Sequence, residues 1–159
     1  MEGLFPLGTG ISRVRGIVSL IKQHKGRMEI SELAEESEED VDDLLPLIEA
    51  CKLLKFVTVE DSVLRLTEKG AKLTFSNFSK SIKDGLDDVE PFKSMLKIVN
   101  ERQITSAELF SKLRSRGIVF HGDEAANDIM LKRLLIRWGV RSKLIAYDPQ
   151  NDVWSRATV

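Results

Sequence analysis

Residues 40–73 read DVDDLLPLIEACKLLKFVTVEDSVLRLTEKGAKL, and their hydrophobic period changes once along the way. Val41, Leu44, Leu45, Ile48 and Cys51 recur at helical intervals, with Val41 expected as the first core residue. Phe56, Val57 and Val59 then precede Glu60-Asp61-Ser62, and Val63, Leu64 and Leu66 follow it, the pattern of a hairpin ending at Leu66. Thr67 is placed to cap a further helix, with Gly70 in its first turns and partial apolar patterning through Ala71, Leu73, Phe75 and Phe78 to about Lys83. Helix, hairpin and following helix make the back half of a winged helix-turn-helix, a module used both for DNA binding and for pairing proteins.

Upstream, Ile11, Val14, Ile17, Val18 and Ile21 predict a first helix from about Ile11 to Lys25, stopped by Gly26, while residues 1–8 read as a tail. Gly16 costs that helix up to about 1 kcal/mol relative to alanine unless a neighbour packs closely on it. A short second helix runs through Leu33 and Ala34. Ser37 is expected to cap the third helix, with Asp40 at its third position. On that start, Pro46 removes the bond to the Asp42 carbonyl and is expected to bend or divide the helix.

The second half repeats the order. A helix from about Val89 to Glu101 is expected to bury Phe92, Met95, Leu96 and Val99, with Pro91 in its first turn. Thr105 and Glu108 stand at capping-box spacing, with Ile104 and Leu109 as the staple, and that helix ends by Gly117. A long helix from about Asp123 presents Leu131, Leu134, Leu135 and Trp138. A hairpin follows, from Leu144, Ile145 and Tyr147 across Asp148-Pro149-Gln150-Asn151 to Val153 and Trp154. Sliding the chain by 88 positions sets Leu47, Ile48, Lys55 and Phe56 on Leu135, Ile136, Lys143 and Leu144, and Glu60 on Asp148. The expected architecture is mainly α with small β-hairpin wings, an α+β tandem winged helix-turn-helix. Its modules are placed at residues 9–84, with an acidic third helix, and 85–159, with a basic one; Gly85 and Asp87-Asp88 mark the division.

The 159 residues carry 24 basic and 25 acidic side chains, so no global charge draws the chain to nucleic acid or lipid. From Glu29 to Glu49 there are ten acidic residues and no basic one. Glu32, Glu36, Glu39 and Asp43 are candidate interaction residues there, on faces where a groove reader needs cations, which favours a basic protein partner. Lys132, Arg133, Arg137, Arg141 and Lys143 fall within twelve residues without an acid. That cluster reads as a solvated face complementary to the acidic module, as a protein interface, or as a nucleic-acid surface. Trp138 and Trp154 read as core or module-interface residues rather than base-stacking platforms.

No P-loop, GxGxxG or HExxH occurs, and His24 and His121 lack companions at metal-ligand spacing; no catalytic, cofactor or metal residue is assigned, and no enzymatic activity is expected. Cys51 excludes an intrachain disulfide. No apolar run approaches the roughly 20 residues a membrane span needs, so direct insertion is not expected and the expected compartment is the cytoplasm.

Asp42-Asp43-Leu44-Leu45-Pro46-Leu47 with Glu49-Ala50, Leu66-Thr67 with Gly70, and Trp138-Gly139 followed by Ala146-Tyr147-Asp148 resemble the AAA-associated C-terminal domain family, over about Leu7 to Trp154. In that family the region extends the ATPase subunit of nitrate/sulfonate/bicarbonate-type ABC importers, and also occurs as a stand-alone chain. The resemblance implies a non-enzymatic regulatory or accessory module whose protein partner is an ABC-transporter ATPase, and makes Pro46 a family feature. The alternative expectation is a winged-helix transcriptional regulator contacting DNA through the second module only. Homodimer formation stays open under both.

Overall fold

The structure, a computed structural model, describes residues 3–157. It is mainly helical with two small antiparallel sheets, an α+β fold with hairpin wings. Pro6–Ser81 form one compact unit, here the amino-terminal unit. The residues from Ile82 onward, with Phe5 and the described residues before it, form the carboxy-terminal unit.

The amino-terminal unit runs α1 (Ile11–Gln23), β1 (Arg27–Glu29), α2 (Ile30–Ser37), α3 (Val41–Leu53), β2 (Val57–Glu60), β3 (Val63–Leu66) and α4 (Glu68–Ala71). β3 lies between β1 and β2, so Met28, Leu64 and Val59 form one row across the sheet. Met28 and Leu64 are buried in that row, packing the sheet on the helices, while Arg27, Arg65 and Thr58 of the adjacent row are exposed. The β2–β3 turn is made by Asp61 and Ser62, both at positive φ (51° and 63°), as a two-residue hairpin with the strands' twist requires.

Several sequence expectations give way here. Ser37 ends α2 rather than capping α3: its Oγ donates to the Leu33 carbonyl at 2.5 Å, and Glu38 turns the chain at φ 56°. α3 starts at Val41 with Asp40 as its N-cap, and it is one continuous helix across Pro46. Proline removes only the bond to the carbonyl of Asp42, an exposed residue of the first turn. Val41 and Leu45 point outward, 40% and 47% exposed, because Leu44, Leu47, Ile48, Ala50 and Cys51 supply the buried face. The helix after Thr67 stops at Ala71; Phe75 lies in a loop, 84% exposed, before α5 (Phe78–Leu86) begins. Gly85 lies inside α5.

The Leu66-Thr67…Gly70 motif locks α4 beneath the end of α3. Thr67 Oγ1 accepts from the Gly70 N–H at 3.0 Å and donates to the Lys55 carbonyl at 2.6 Å, while the Thr67 N–H reaches the Phe56 carbonyl at 3.0 Å. A Cβ on Gly70 would stand 2.1 Å from the Phe56 carbonyl oxygen, so only glycine fits.

The carboxy-terminal unit runs α6 (Phe92–Glu101), β4 (Ile104–Thr105), α7 (Ser106–Ser115), α8 (Glu124–Leu134), a π-helical segment (Leu135–Val140), β5 (Ile145–Asp148) and β6 (Val153–Arg156). β6 lies between β4 and β5, lining up Ile104, Trp154 and Tyr147. α6 starts three residues later than expected, and Ile98 replaces Leu96 among its buried side chains. Phe5, expected in a tail, is fully buried in this unit between Phe92 and Trp138, with ring centroids 5.7 and 4.6 Å away. Gly139 passes under Ile145, whose Cδ1 would lie 2.7 Å from a Cβ there.

The 88-residue offset extends to single hydrogen bonds. Phe56 N–H donates to the Cys51 carbonyl and Leu144 N–H to the Gly139 carbonyl, both at 2.9 Å; Lys55 and Lys143 both sit at φ 66°. Each helix therefore ends in the same left-handed cap before its wing. The second hairpin loop is two residues longer, and Asp148 closes it by accepting from the Gln150 N–H at 3.0 Å and the Asn151 side chain at 2.7 Å.

Candidate protein-interaction surfaces

The amino-terminal unit gathers its acidic side chains unevenly. Glu32 folds back to cap α2, accepting from the Glu29 N–H at 3.1 Å. Glu36 pairs with His24 at 2.8 Å and Glu39 pairs with Arg13, so both belong to the border of α1. Asp43 is exposed in the first turn of α3 and makes no side-chain ion pair among the described residues. Of these four predicted residues, Glu36 and Glu39 are thus tied to α1, Glu32 to the start of α2, and Asp43 to neither.

An unexpected feature lies beside them. Asp42, Leu45, Glu49 and Lys52 follow one line along the outer face of α3, and with Leu7, Ile30, Pro46, Ile48 and Val59 they line a groove of about 600 Å³. Its floor is apolar and its rim carries Asp42, Glu49 and Lys52, with Glu49 paired to Lys52 at 3.3 Å and Asp42 unpaired among the described residues. Leu45 was the legible signal: an outward leucine in an acidic helix. Its expected place in the core hid it.

In the carboxy-terminal unit, Leu131, Leu134, Leu135 and Trp138 are buried, which turns Arg133, Arg137 and Arg141 to solvent. Across the π-helical segment the Arg141 N–H donates to the Ile136 carbonyl at 3.2 Å. Ile129 and Ile136 are exposed on the same helix, 56% and 36%, so the stripe is apolar as well as basic. Arg133, Arg137, Arg141 and Lys143 have no acidic partner among the described residues. Lys132 differs: it is half-buried, its Nζ 5.1 Å from the Tyr147 ring centroid. Arg114 is occupied by Asp128 at 2.6 Å and Glu124 at 3.1 Å.

Below the stripe, a polar network fixes the wing. Trp154 Nε1 donates to Ser106 Oγ at 2.8 Å, Ser106 Oγ donates to Asp152, and Tyr147 donates to the same carboxylate at 2.7 Å. The Ser106 bond first, then Tyr147, hold the Asp152 carboxyl below the usual aspartate range. Asn127, fully buried, accepts from the Phe120 and His121 N–H groups at 2.6 and 3.2 Å and so pins the loop before α8. Nothing in the residue pattern announced either arrangement, because both depend on partners dozens of positions away or on loop geometry.

His121 Nδ1 accepts from the Asp123 N–H at 2.9 Å, a connector's bond. Burial pushes the Cys51 thiol up to about 12. Among the described residues, no three His, Cys, Asp or Glu side chains converge as metal ligands, and no helix is long and apolar enough to cross a membrane.

Fold and surface together define an α+β protein with hairpin wings, its charges collected along helix faces. The chain belongs to the C-terminal AAA-associated domain family, whose model matches residues 31–148, from α2 to the end of β5. No curated protein and no solved structure matches it.

Proposed function

We propose that this chain is a non-enzymatic accessory module, built as two winged-helix units, that binds the ATPase subunit of an ABC importer. The family membership supplies the association with an ATPase. The observation that carries the reading is the outer face of α3, where the unpaired Asp42 and the Glu49–Lys52 pair rim an apolar groove. A DNA reader would press that helix against phosphates, and carboxylates there repel a polyanion without return for their desolvation. A basic amphipathic segment of a protein meets both the floor and the rim.

The test is co-purification of the importer ATPase with the wild-type chain and with D42K/E49K. Recovery with the wild type and loss with the variant supports the reading; equal recovery removes the groove from it. A second reading, DNA contact through the carboxy-terminal unit, is favoured by the unpaired Arg133, Arg137 and Arg141 stripe. Binding to duplex fragments that weakens steeply with salt, and is lost in R133E/R137E, would support it.

A further inference from the structure

We propose that the outer ridge of α1 is a dimer contact, in which two copies of this chain set their α1 helices side by side and parallel about a two-fold axis. The contact lies within the amino-terminal unit and does not depend on the ATPase reading.

Gly16 is the first observation. It sits exposed in the middle of α1, and a Cβ added there would meet nothing within 4 Å. Glycine costs the helix about 1 kcal/mol relative to alanine, and no neighbour inside the chain offsets this. Ser12, Gly16 and Ser19 together make a ridge of small residues that admits a second helix at close range.

One flank of that ridge carries two cations and no acid, and the other carries two carboxylates, each already paired with an α1 side chain. At about 100° per residue, Arg15 and Lys22 fall on one side of it and Arg13 and His24 on the other. On the first side, Arg15, Lys22, Thr74, Phe75 and Phe78 line a groove of about 430 Å³. No acid lines it. On the second side, Glu39 and Glu36 lie against Arg13 and His24 through their ion pairs. A two-fold axis along the helices brings the basic flank of each copy against the acidic flank of the other, twice. An antiparallel pair would oppose like flanks. The heights agree as well: Arg15 is two residues from Arg13 and Lys22 two from His24, about 3 Å along the axis in each case. Arg15 and Lys22 thus meet the levels of the partner's Arg13–Glu39 and His24–Glu36 pairs, whose carboxylates they would share.

Phe75 supplies the apolar anchor. It is 84% exposed, yet its loop is held: the Thr74 N–H donates to Asn77 Oδ1 at 2.8 Å, Asn77 Nδ2 to the Lys72 carbonyl at 2.9 Å, and Lys22 to the Leu73 carbonyl. The Arg15 guanidinium stands 5.2 Å from its ring centroid. A large aromatic on an already ordered loop, beside a cation, is a pre-organised anchor for a partner surface.

Sedimentation equilibrium tests the proposal. Wild type is expected to approach twice 17.9 kDa as concentration rises, and less so as salt rises. R15E/K22E and E36K/E39K are each expected to lose association by ~100-fold or more, and an equimolar mixture of the two to recover it, since each restores the other's charge pattern. G16A is expected to melt higher as a monomer and associate more weakly, a combination that a merely internal glycine would not give. S12C is expected to form an interchain disulfide, because a parallel pair sets Ser12 beside its copy, while buried Cys51 stays out of the reaction. A wild type that stays at 17.9 kDa at low salt, as it would if an acidic helix of another protein or a small anion occupied the groove, overturns the proposal. So does association unchanged by the charge reversals or strengthened by G16A.

Discussion

Replacing Gly70 with alanine asks whether the Leu66-Thr67…Gly70 motif is a packing device. The added methyl would lie 2.1 Å from the Phe56 carbonyl oxygen, 3.0 Å from its carbon and 3.2 Å from its Cα. All three are backbone atoms, and that carbonyl is already committed to the Thr67 N–H at 3.0 Å where β2 begins, so it has nowhere to retreat. Overpacking of this kind costs about 1–3 kcal/mol, against the gain of about 0.4–1 kcal/mol that alanine brings at an unstrained helical site. The expected net loss is on the order of 1–2 kcal/mol, seen as a lower urea midpoint and a fall of about 2–4 °C in Tm for each kcal/mol in a chain of this size. Gly16→Ala, measured below the concentration at which copies associate, is the matched control: the same atom added to open space should stabilise by up to about 1 kcal/mol. If G70A proves neutral or stabilising, the close approach of α4 to the end of α3 is wrong.

Two further outcomes test the interior. Cys51, fully buried and with its thiol raised to about 12, should stay unlabelled by a thiol reagent in the native protein and react fully once unfolded; rapid native labelling would contradict its burial. The Asp152 carboxyl is held below its ordinary 3.8 by Ser106 and Tyr147, so its contribution is complete above that value and drains away as pH falls through its lower folded value. D152N should therefore be less stable than wild type at neutral pH, with the gap closing in acid; a gap independent of pH would show that the carboxylate charge is not what the network uses.

Local signals carried most of the fold. The caps at Thr67 and Thr105, the helix start near Asp123, the change of period at Phe56 and the 88-residue offset all depend on residues a few positions apart, or on repetition of the same pattern. What escaped needed partners from afar. β1 and β4 are three and two residues long and exist because β3 and β6 offer them an edge. Ser37 has the chemistry of an N-cap but spends its hydroxyl on the Leu33 carbonyl of the preceding turn. Leu45 shares the helical spacing of Leu44 and Ile48 yet faces the groove, since Leu47 and Cys51 already fill the inward side. For the surfaces, composition found the carboxylates and the arginines. It could not separate Glu36 and Glu39, tied to α1, from Asp42 and Glu49 on the groove rim, nor Lys132, set against Tyr147, from its unpaired neighbours.

Isothermal titration of the purified importer ATPase subunit with this chain is the most direct measurement. The proposed function predicts saturable binding that weakens at least ~10-fold in D42K/E49K, whose α3 face would then repel a basic partner segment. No heat with the ATPase, alongside duplex DNA binding that survives D42K/E49K and falls steeply with salt, would contradict it.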